Sequence, residues 1–337
     1  MTHKQENEKS ITMPEFTVAF LGYRDEWEME RLRSQAPDNV EIVGTPLGAS
    51  RDEHAALVLD ADVVIPWMRS FDMEMLKSGN KLKLIQALSA GTDYLAVGEL
   101  AEMGIRVANN HGGNSVAVAE HSVMLMVAAY RQVWQQMTNL YEGDYHGDFF
   151  EIWEELHELT NKRVGIIGLG QIGSRVAKRL RGWECEIVYH DAQEFDAEYE
   201  KGCNATRVSF DELIETSDII TLHVPLDRTT RGILSDREFE MMKPTAVVIN
   251  TCRGPVIDEA ALVRALDSKQ IAGAGIDVTE TEPIETANAL KNRRNVVLTP
   301  HLAGSSIEAR EKALDWAIEN ASRLAAGKEP GAIILPV

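Results

Sequence analysis

The stretch Arg163–Asp191 constrains the fold of this chain more than any other. Val164–Ile167 is a short apolar run bounded by glycine, the pattern of a buried strand. Gly168, Gly170 and Gly173 follow it directly as G-x-G-x-x-G. Beyond them Ile172, Val176, Ala177 and Leu180 recur at helical spacing, and Gly182 stands where a helix C-cap is wanted. A second apolar run, Ile187–Tyr189, ends at Asp191. A strand, a glycine turn, a helix, a second strand and an acid in this register form a dinucleotide fingerprint. Gly168 permits the tight turn, Gly170 lets backbone approach a pyrophosphate, and Gly173 lets helix and strand pack closely. The helix N-terminus offers N–H groups and a positive dipole end to the phosphates. Asp191 can accept hydrogen bonds from ribose hydroxyls and repels a 2′-phosphate. No arginine follows it in Ala192, Gln193 and Glu194, so NAD is expected over NADP.

Around this unit the chain alternates strand-like and helix-like runs. Strands are expected at Phe16–Leu21, Val40–Val43, Asp62–Ile65, Leu82–Ile85 and Ile105–Ala108, with helices at Asp25–Gln35 and Glu53–Leu59. After the fingerprint, strands are expected at Ile219–His223, Ala246–Asn250, Ile271–Ile276 and Val296–Leu298, with a helix at Glu259–Leu266. Such alternation implies α/β architecture with parallel sheets covered by helices on both faces. The 337 residues suit two domains. We expect a loose tail over 1–14, one domain from 15–112 with 305–337, and a nucleotide domain over 113–304. The final helix, Ile307 to about Ala326, would then return to the first domain.

The run Val116–Trp134 is apolar almost all round. A helix without a polar face must be buried, between domains or against a second subunit, so a homodimer is expected. A net charge of -19 disfavours nucleic acid and anionic membrane as partners. The three cysteines, Cys185, Cys203 and Cys252, show no C-x-x-C spacing, as expected in a reducing, cytoplasmic setting. The pair His157-Glu158 lacks a second imidazole at Asn161, so no metal is expected there.

In a doubly wound domain the ends of the strands face the ligand crevice. Arg253 follows the strand ending at Asn250, where a guanidinium can grip a carboxylate and polarise a carbonyl. His301 follows Leu298-Thr299-Pro300 and is suited to move a proton near neutral pH. Glu282, five residues after Asp277, would orient such a histidine.

Taken together, these stretches resemble the D-isomer-specific, NAD-dependent 2-hydroxyacid dehydrogenases. The resemblance rests on Gly168–Gly173 with Asp191, His223-Val224-Pro225-Leu226, Asn250–Asp258, Gly275–Pro283, Thr299–Gly304 and Asn114–His121. It covers nearly the whole chain after the N-terminal tail. It implies two Rossmann-like doubly wound parallel-sheet domains, a flavodoxin-like substrate domain and an NAD-binding domain, dimeric, with the cleft between them. It implies catalysis by Arg253, Glu282 and His301, with hydride exchanged between nicotinamide and C2 of a small 2-oxo or D-2-hydroxy acid. It places NAD on Gly168, Gly170, Gln171, Ile172, Gly173, Asp191, His223, Pro225, Thr251, Cys252 and Asp277, the last on the nicotinamide carboxamide. It places substrate on Arg69, Ala90 and Gly91, with Trp67 and Met68 beside them. Glyoxylate, hydroxypyruvate and larger acids such as phenylpyruvate are all open. Cys252 stands where alanine or serine is common, and a thiol near the nicotinamide would make modification inhibitory. Asn161 replaces a common glycine and should be silent, because asparagine tolerates left-handed backbone. The alternative reading is an NAD(H)-sensing regulator like the C-terminal binding protein corepressors, which keep the same triad.

Overall fold

A computed structural model describes residues 16–67, 71–145 and 153–336. The expected tail at 1–14, and Met68 and Arg69, lie outside these residues. The chain forms two compact units, one running to Asn114 and resuming at Arg310, the other spanning Ser115–Ala309.

The first unit is built on β1 (Phe16–Tyr23), β2 (Val40–Pro46), β3 (Val63–Pro66), β4 (Leu84–Gln86) and β5 (Arg106–Ala108). They pair in the order β2-β1-β3-β4-β5, all parallel, the flavodoxin-like arrangement. Alternation along β1 explains the layering. Val18 and Phe20 pack with Met29 and Leu32 of the Glu26–Gln35 helix and with Leu314 and Ile318 of the Ile307–Ala325 helix. Ala19 and Leu21 face Val58, Leu76 and Leu100 on the other side.

In the second unit the strands are β6 (Arg163–Ile167), β7 (Glu186–His190), β8 (Thr206–Arg207), β9 (Ile219–Leu222), β10 (Val247–Asn250), β11 (Gly273–Ile276) and β12 (Val296–Leu298). They form one parallel sheet in the order β12-β11-β10-β9-β6-β7-β8. The order reverses at β6, the first strand of the unit, and a ligand crevice is expected beyond its carboxyl end. One face buries Ile220, Val248 and Ile276 against Leu213, Phe239 and Leu262. The other buries Ile166, Tyr189 and Ile249 against Leu125, Met126 and Val176.

Three local expectations change. The long apolar helix is Ser115–Tyr130; Gln132 then turns left-handed with φ of 46°, and a separate helix runs over Val133–Tyr141. The apolar face of Ser115–Tyr130 is covered by its own unit, since Leu125 and Met126 are buried in that core. A partner subunit is therefore not needed to bury it. Gly182 is not a left-handed cap; the chain makes a 3-10 turn over Arg181–Trp183 and reverses at Glu184, φ 57°. Asn161 does adopt φ 61°, the left-handed conformation that asparagine accommodates. Among the described residues no helix is long and apolar enough to cross a membrane.

Candidate active site

The glycine turn leaves β6 with Gly168 at φ 92°. A Cβ on Gly173 would lie 2.1 Å from the Gly168 carbonyl oxygen, so the helix can sit this close only with glycine there. A Cβ on Gly170, by contrast, would meet nothing within 4 Å. The turn is thus shut on its strand side and open at Gly170, with exposed Gln171 and half-buried Ile172 beside it. No side chain caps the Gly173–Leu180 helix, so its N-terminal dipole is free to face an anion. At the end of β7, Asp191 Oδ2 accepts from Leu169 N at 2.7 Å and Oδ1 from Gln193 N at 2.8 Å. Each oxygen keeps a lone pair for a ribose hydroxyl. The open turn, the uncapped helix and the anchored acid fit a dinucleotide.

An arginine that local sequence did not reveal stands nearby. Arg207, on β8, donates to the Asp191 carbonyl at 3.0 Å and pairs with Glu194 at 3.1 Å. Tyr199 reaches the same turn, donating to the Leu169 carbonyl at 3.0 Å. Both follow Asp191 in the chain: Arg207 is brought back by the pairing of β8 with β7, and Tyr199 by the helix Ala197–Cys203.

After β9, His223 bonds Thr221 Oγ1 through Nε2 at 3.0 Å, and its Nδ1 is buried without a partner. Burial drives this imidazole down to about 3, so it is neutral. Pro225 stands exposed two residues on.

Asn250 organises the turn after β10. Its Oδ1 accepts from Cys252 N at 3.0 Å and Cys252 Sγ at 3.1 Å, while its Nδ2 donates to the Arg253 carbonyl at 3.0 Å. Thr251 is buried and shares a 2.9 Å hydroxyl bond with Ser122. Burial pushes the Cys252 thiol up to about 11, so it is a protonated hydrogen-bond donor rather than the modifiable group expected from its position. Arg253 is half-buried and donates through Nη1 to the Cys252 carbonyl at 2.7 Å. The next residue explains its placement. A Cβ on Gly254 would lie 2.0 Å from the Thr279 carbonyl oxygen, so glycine lets this turn press against the segment leading to Glu282.

Glu282 and His301 meet directly, Nδ1 to Oε2 at 2.6 Å, each about one third exposed. The other carboxylate oxygen of Glu282 accepts from Thr279 N at 3.2 Å. Burial alone would raise this carboxyl. The His301 hydrogen bond and charge, the Thr279 amide and the Arg253 charge outweigh it, and the net shift is downward. Arg253, Glu282 and His301 are therefore one electrostatic cluster, although 48 positions separate the first from the last. His301 has φ of 55°, a conformation that costs a residue with a Cβ about 1–2 kcal/mol.

Asp277 is placed differently from the expectation. Its side chain is inaccessible, and its oxygens accept from Thr299 Oγ1, Leu302 N and Ala303 N. In this arrangement the carboxylate lies under the His301 loop rather than open to a carboxamide. Its partners lie 22 to 26 positions further along the chain, so local sequence carried no signal for this.

In the first unit Ala90 and Gly91 lie in the loop after β4. Their carbonyls are tied by Asn109 Nδ2 at 2.9 Å and Ser89 Oγ at 2.7 Å, which fixes how the peptides face. Trp67, at the end of β3, carries the Arg24 guanidinium 4.9 Å over its ring.

Comparison with known proteins gives consistent results. A family model described as "D-isomer specific 2-hydroxyacid dehydrogenase, NAD binding domain" matches residues 123–303. A glyoxylate reductase of Thermofilum pendens is 35% identical over 287 residues, covering 85% of this chain and 84% of its own. The holo form of Rhodotorula graminis D-mandelate dehydrogenase superposes with a TM-score of 0.85 at 27% identity, covering 96% of this chain and 99% of its own. An acyclic imino acid reductase in complex with NADPH and D-Arg superposes at 0.80 with 30% identity, covering 95% of this chain and all of its own.

Proposed function

The chain belongs to the D-isomer-specific 2-hydroxyacid dehydrogenases, and on that premise we propose that it reduces a small 2-oxo acid of the glyoxylate or hydroxypyruvate class to the D-2-hydroxy acid. It is an NAD-dependent oxidoreductase. The observation that carries the proposal is the 2.6 Å His301–Glu282 contact within reach of the Arg253 charge.

Bound NADH supplies the hydride. The protein's own groups do the rest. Glu282 accepts the Nδ1–H of His301, which leaves Nε2 as the nitrogen that carries the transferable proton. His301 gives that proton to the oxygen of the substrate carbonyl as it becomes an alkoxide. Arg253 holds the substrate carboxylate and draws charge toward the carbonyl oxygen. Ala90, Gly91 and Arg69 would contact the substrate as well, as the family resemblance implies. Gly168, Gly170, Gln171, Ile172 and Gly173 would bracket the pyrophosphate, and Asp191 the adenosine ribose. His223, Pro225, Thr251 and Cys252 would line the crevice.

The glyoxylate reading draws on the 35% identical relative of that name. A corepressor-like, non-catalytic role is not favoured by the comparisons. A homodimer is part of the proposal. Its support is the apolar surface of the Val133–Tyr141 helix, where Trp134, Met137, Leu140 and Tyr141 are all exposed. Initial rates with NADH and NADPH over a panel of 2-oxo acids test the reading. NADH with glyoxylate or hydroxypyruvate should lead the panel. Peptide binding without turnover of any 2-oxo acid would overturn it.

A further inference from the structure

Three successive amides around His301 are held by a single residue. His301 N donates to the Asp277 carbonyl at 2.8 Å. Leu302 N and Ala303 N donate to its two carboxylate oxygens, each at 2.9 Å. Asp277 is itself anchored, its N–H donating to the Asn250 carbonyl at 2.9 Å. The left-handed turn at His301 is therefore set by how firmly Asp277 is seated. A carboxylate with no exposed surface depends on its full set of donors. The third donor is the Thr299 hydroxyl, 2.6 Å away.

Proton inventory extends the chain of contacts by one residue. The Thr299 hydroxyl carries one hydrogen, and Asp277 takes it. The Thr299 oxygen can then only accept from His121 Nε2, which lies 2.9 Å away. This assigns the Nε2–H tautomer to His121. The imidazole also lies 3.6 Å from Asp277 Oδ1. His121 sits in the middle of the Ser115–Tyr130 helix, packed against the sheet, so the far end of the network is rigid. Burial lowers its affinity for a proton against the opposing pull of Asp277, which favours the neutral ring.

We propose that His121 is a positioning residue of the proton-transfer site, holding the His301 loop in place through Thr299 and Asp277. It touches no reacting atom. Its effect is to keep His301 Nε2 where the substrate oxygen is reached. The inference rests on the reading of His301 as the proton donor, but half of its test does not.

The test compares His121→Leu, His121→Gln and Thr299→Val in the full chain. Displacing a catalytic group by a fraction of an ångström to 1 Å costs up to about 100-fold, so His121→Leu should lower kcat roughly 10- to 100-fold with KM for NADH unchanged. Glutamine places an amide Nε2–H near the imidazole position and should restore most of that loss. Independently of turnover, hydrogen exchange at the Leu302 and Ala303 amides should accelerate in His121→Leu and Thr299→Val and return toward wild type in His121→Gln. Thr299→Val keeps the shape of the side chain and carries the test if His121→Leu does not fold. Wild-type exchange at both amides in Thr299→Val, or a glutamine variant as impaired as the leucine variant, would overturn the proposal. If the wild type turns over no 2-oxo acid, the function reading fails while the exchange result still decides this one.

Discussion

Alanine at Gly170 and at Gly173 should separate what the glycine turn does for the fold from what it does for the ligand. At Gly173 the new Cβ would lie 2.1 Å from the Gly168 oxygen and 3.0 Å from Ile166 Cγ2, where real side-chain carbons essentially never come under 3.0 Å. Both crowded partners belong to β6 and its turn, so the helix must retreat by about 1 Å, and overpacking of this kind costs roughly 1–3 kcal/mol. The same retreat withdraws the helix N-terminus from the pyrophosphate. Interactions of a charge with a helix end amount to about 0.5–2 kcal/mol, which converts to roughly 2- to 30-fold weaker NADH binding at 1.4 kcal/mol per decade. At Gly170 the Cβ meets nothing within 4 Å in the protein itself. Gly170→Ala should therefore melt like the wild type yet bind NADH at least ~10-fold more weakly, because the methyl occupies the approach of the phosphates. Thermal unfolding and NADH fluorescence titration on both variants make the comparison. A Gly170→Ala protein that binds NADH with wild-type affinity would refute the assignment of the turn. A Gly173→Ala protein with unchanged stability would refute the packing argument.

Other consequences are as direct. Asp191→Ala should weaken NADH binding roughly 10- to 150-fold, the value of hydrogen bonds to a charged group. It should also improve NADPH binding, because Arg207 can leave the exposed Glu194 for a 2′-phosphate; adding Arg207→Ala should abolish that gain in calorimetric titrations with NADPH. Alkylating reagents at pH 8 should leave Cys252 unlabelled in native protein, since its thiol titrates only near 11; rapid labelling, read by mass spectrometry, would contradict its burial. Glu282 is held below its ordinary carboxyl range in the folded protein, so its contribution to stability is present above the unfolded value and is lost as pH falls through the lower folded one. Urea titrations of Glu282→Gln against wild type should show a stability gap at pH 7 that narrows toward pH 3, and a gap that widens on acidification would reverse the sign of this account.

What the sequence made legible follows from periodicity. Apolar runs such as Val164–Ile167 and Val247–Asn250 are strands because both faces of a parallel sheet are covered, and nothing polar interrupts them. The glycine fingerprint was legible because Gly168 and Gly173 answer steric demands within the protein that a side chain would violate, while Gly170 keeps the approach to the turn open. Short elements were not. The helices Met73–Lys77 and Val97–Glu102 are one or two turns, and β8 is two residues whose place is set by pairing with Val188 and Tyr189. Gln132 gave no sign of its left-handed turn, since no glycine, proline or asparagine marks a break between Tyr130 and Val133. In the site, the contact of Glu282 with His301 was expected, and the supporting layer was not. Asn250, Thr299, His121 and Arg207 are polar residues whose partners lie 3, 22, 178 and 16 positions away, and only the sheet order brings the distant ones together.

The most direct measurement is the kcat of His301→Ala for glyoxylate reduction, taken beside its NADH affinity. Loss of the proton donor should lower kcat at least ~100-fold while the dissociation constant for NADH stays within about twofold, because the cofactor is held by the turn after β6 and by Asp191. Turnover near the wild-type value in that variant would remove the imidazole from the reaction and contradict the account.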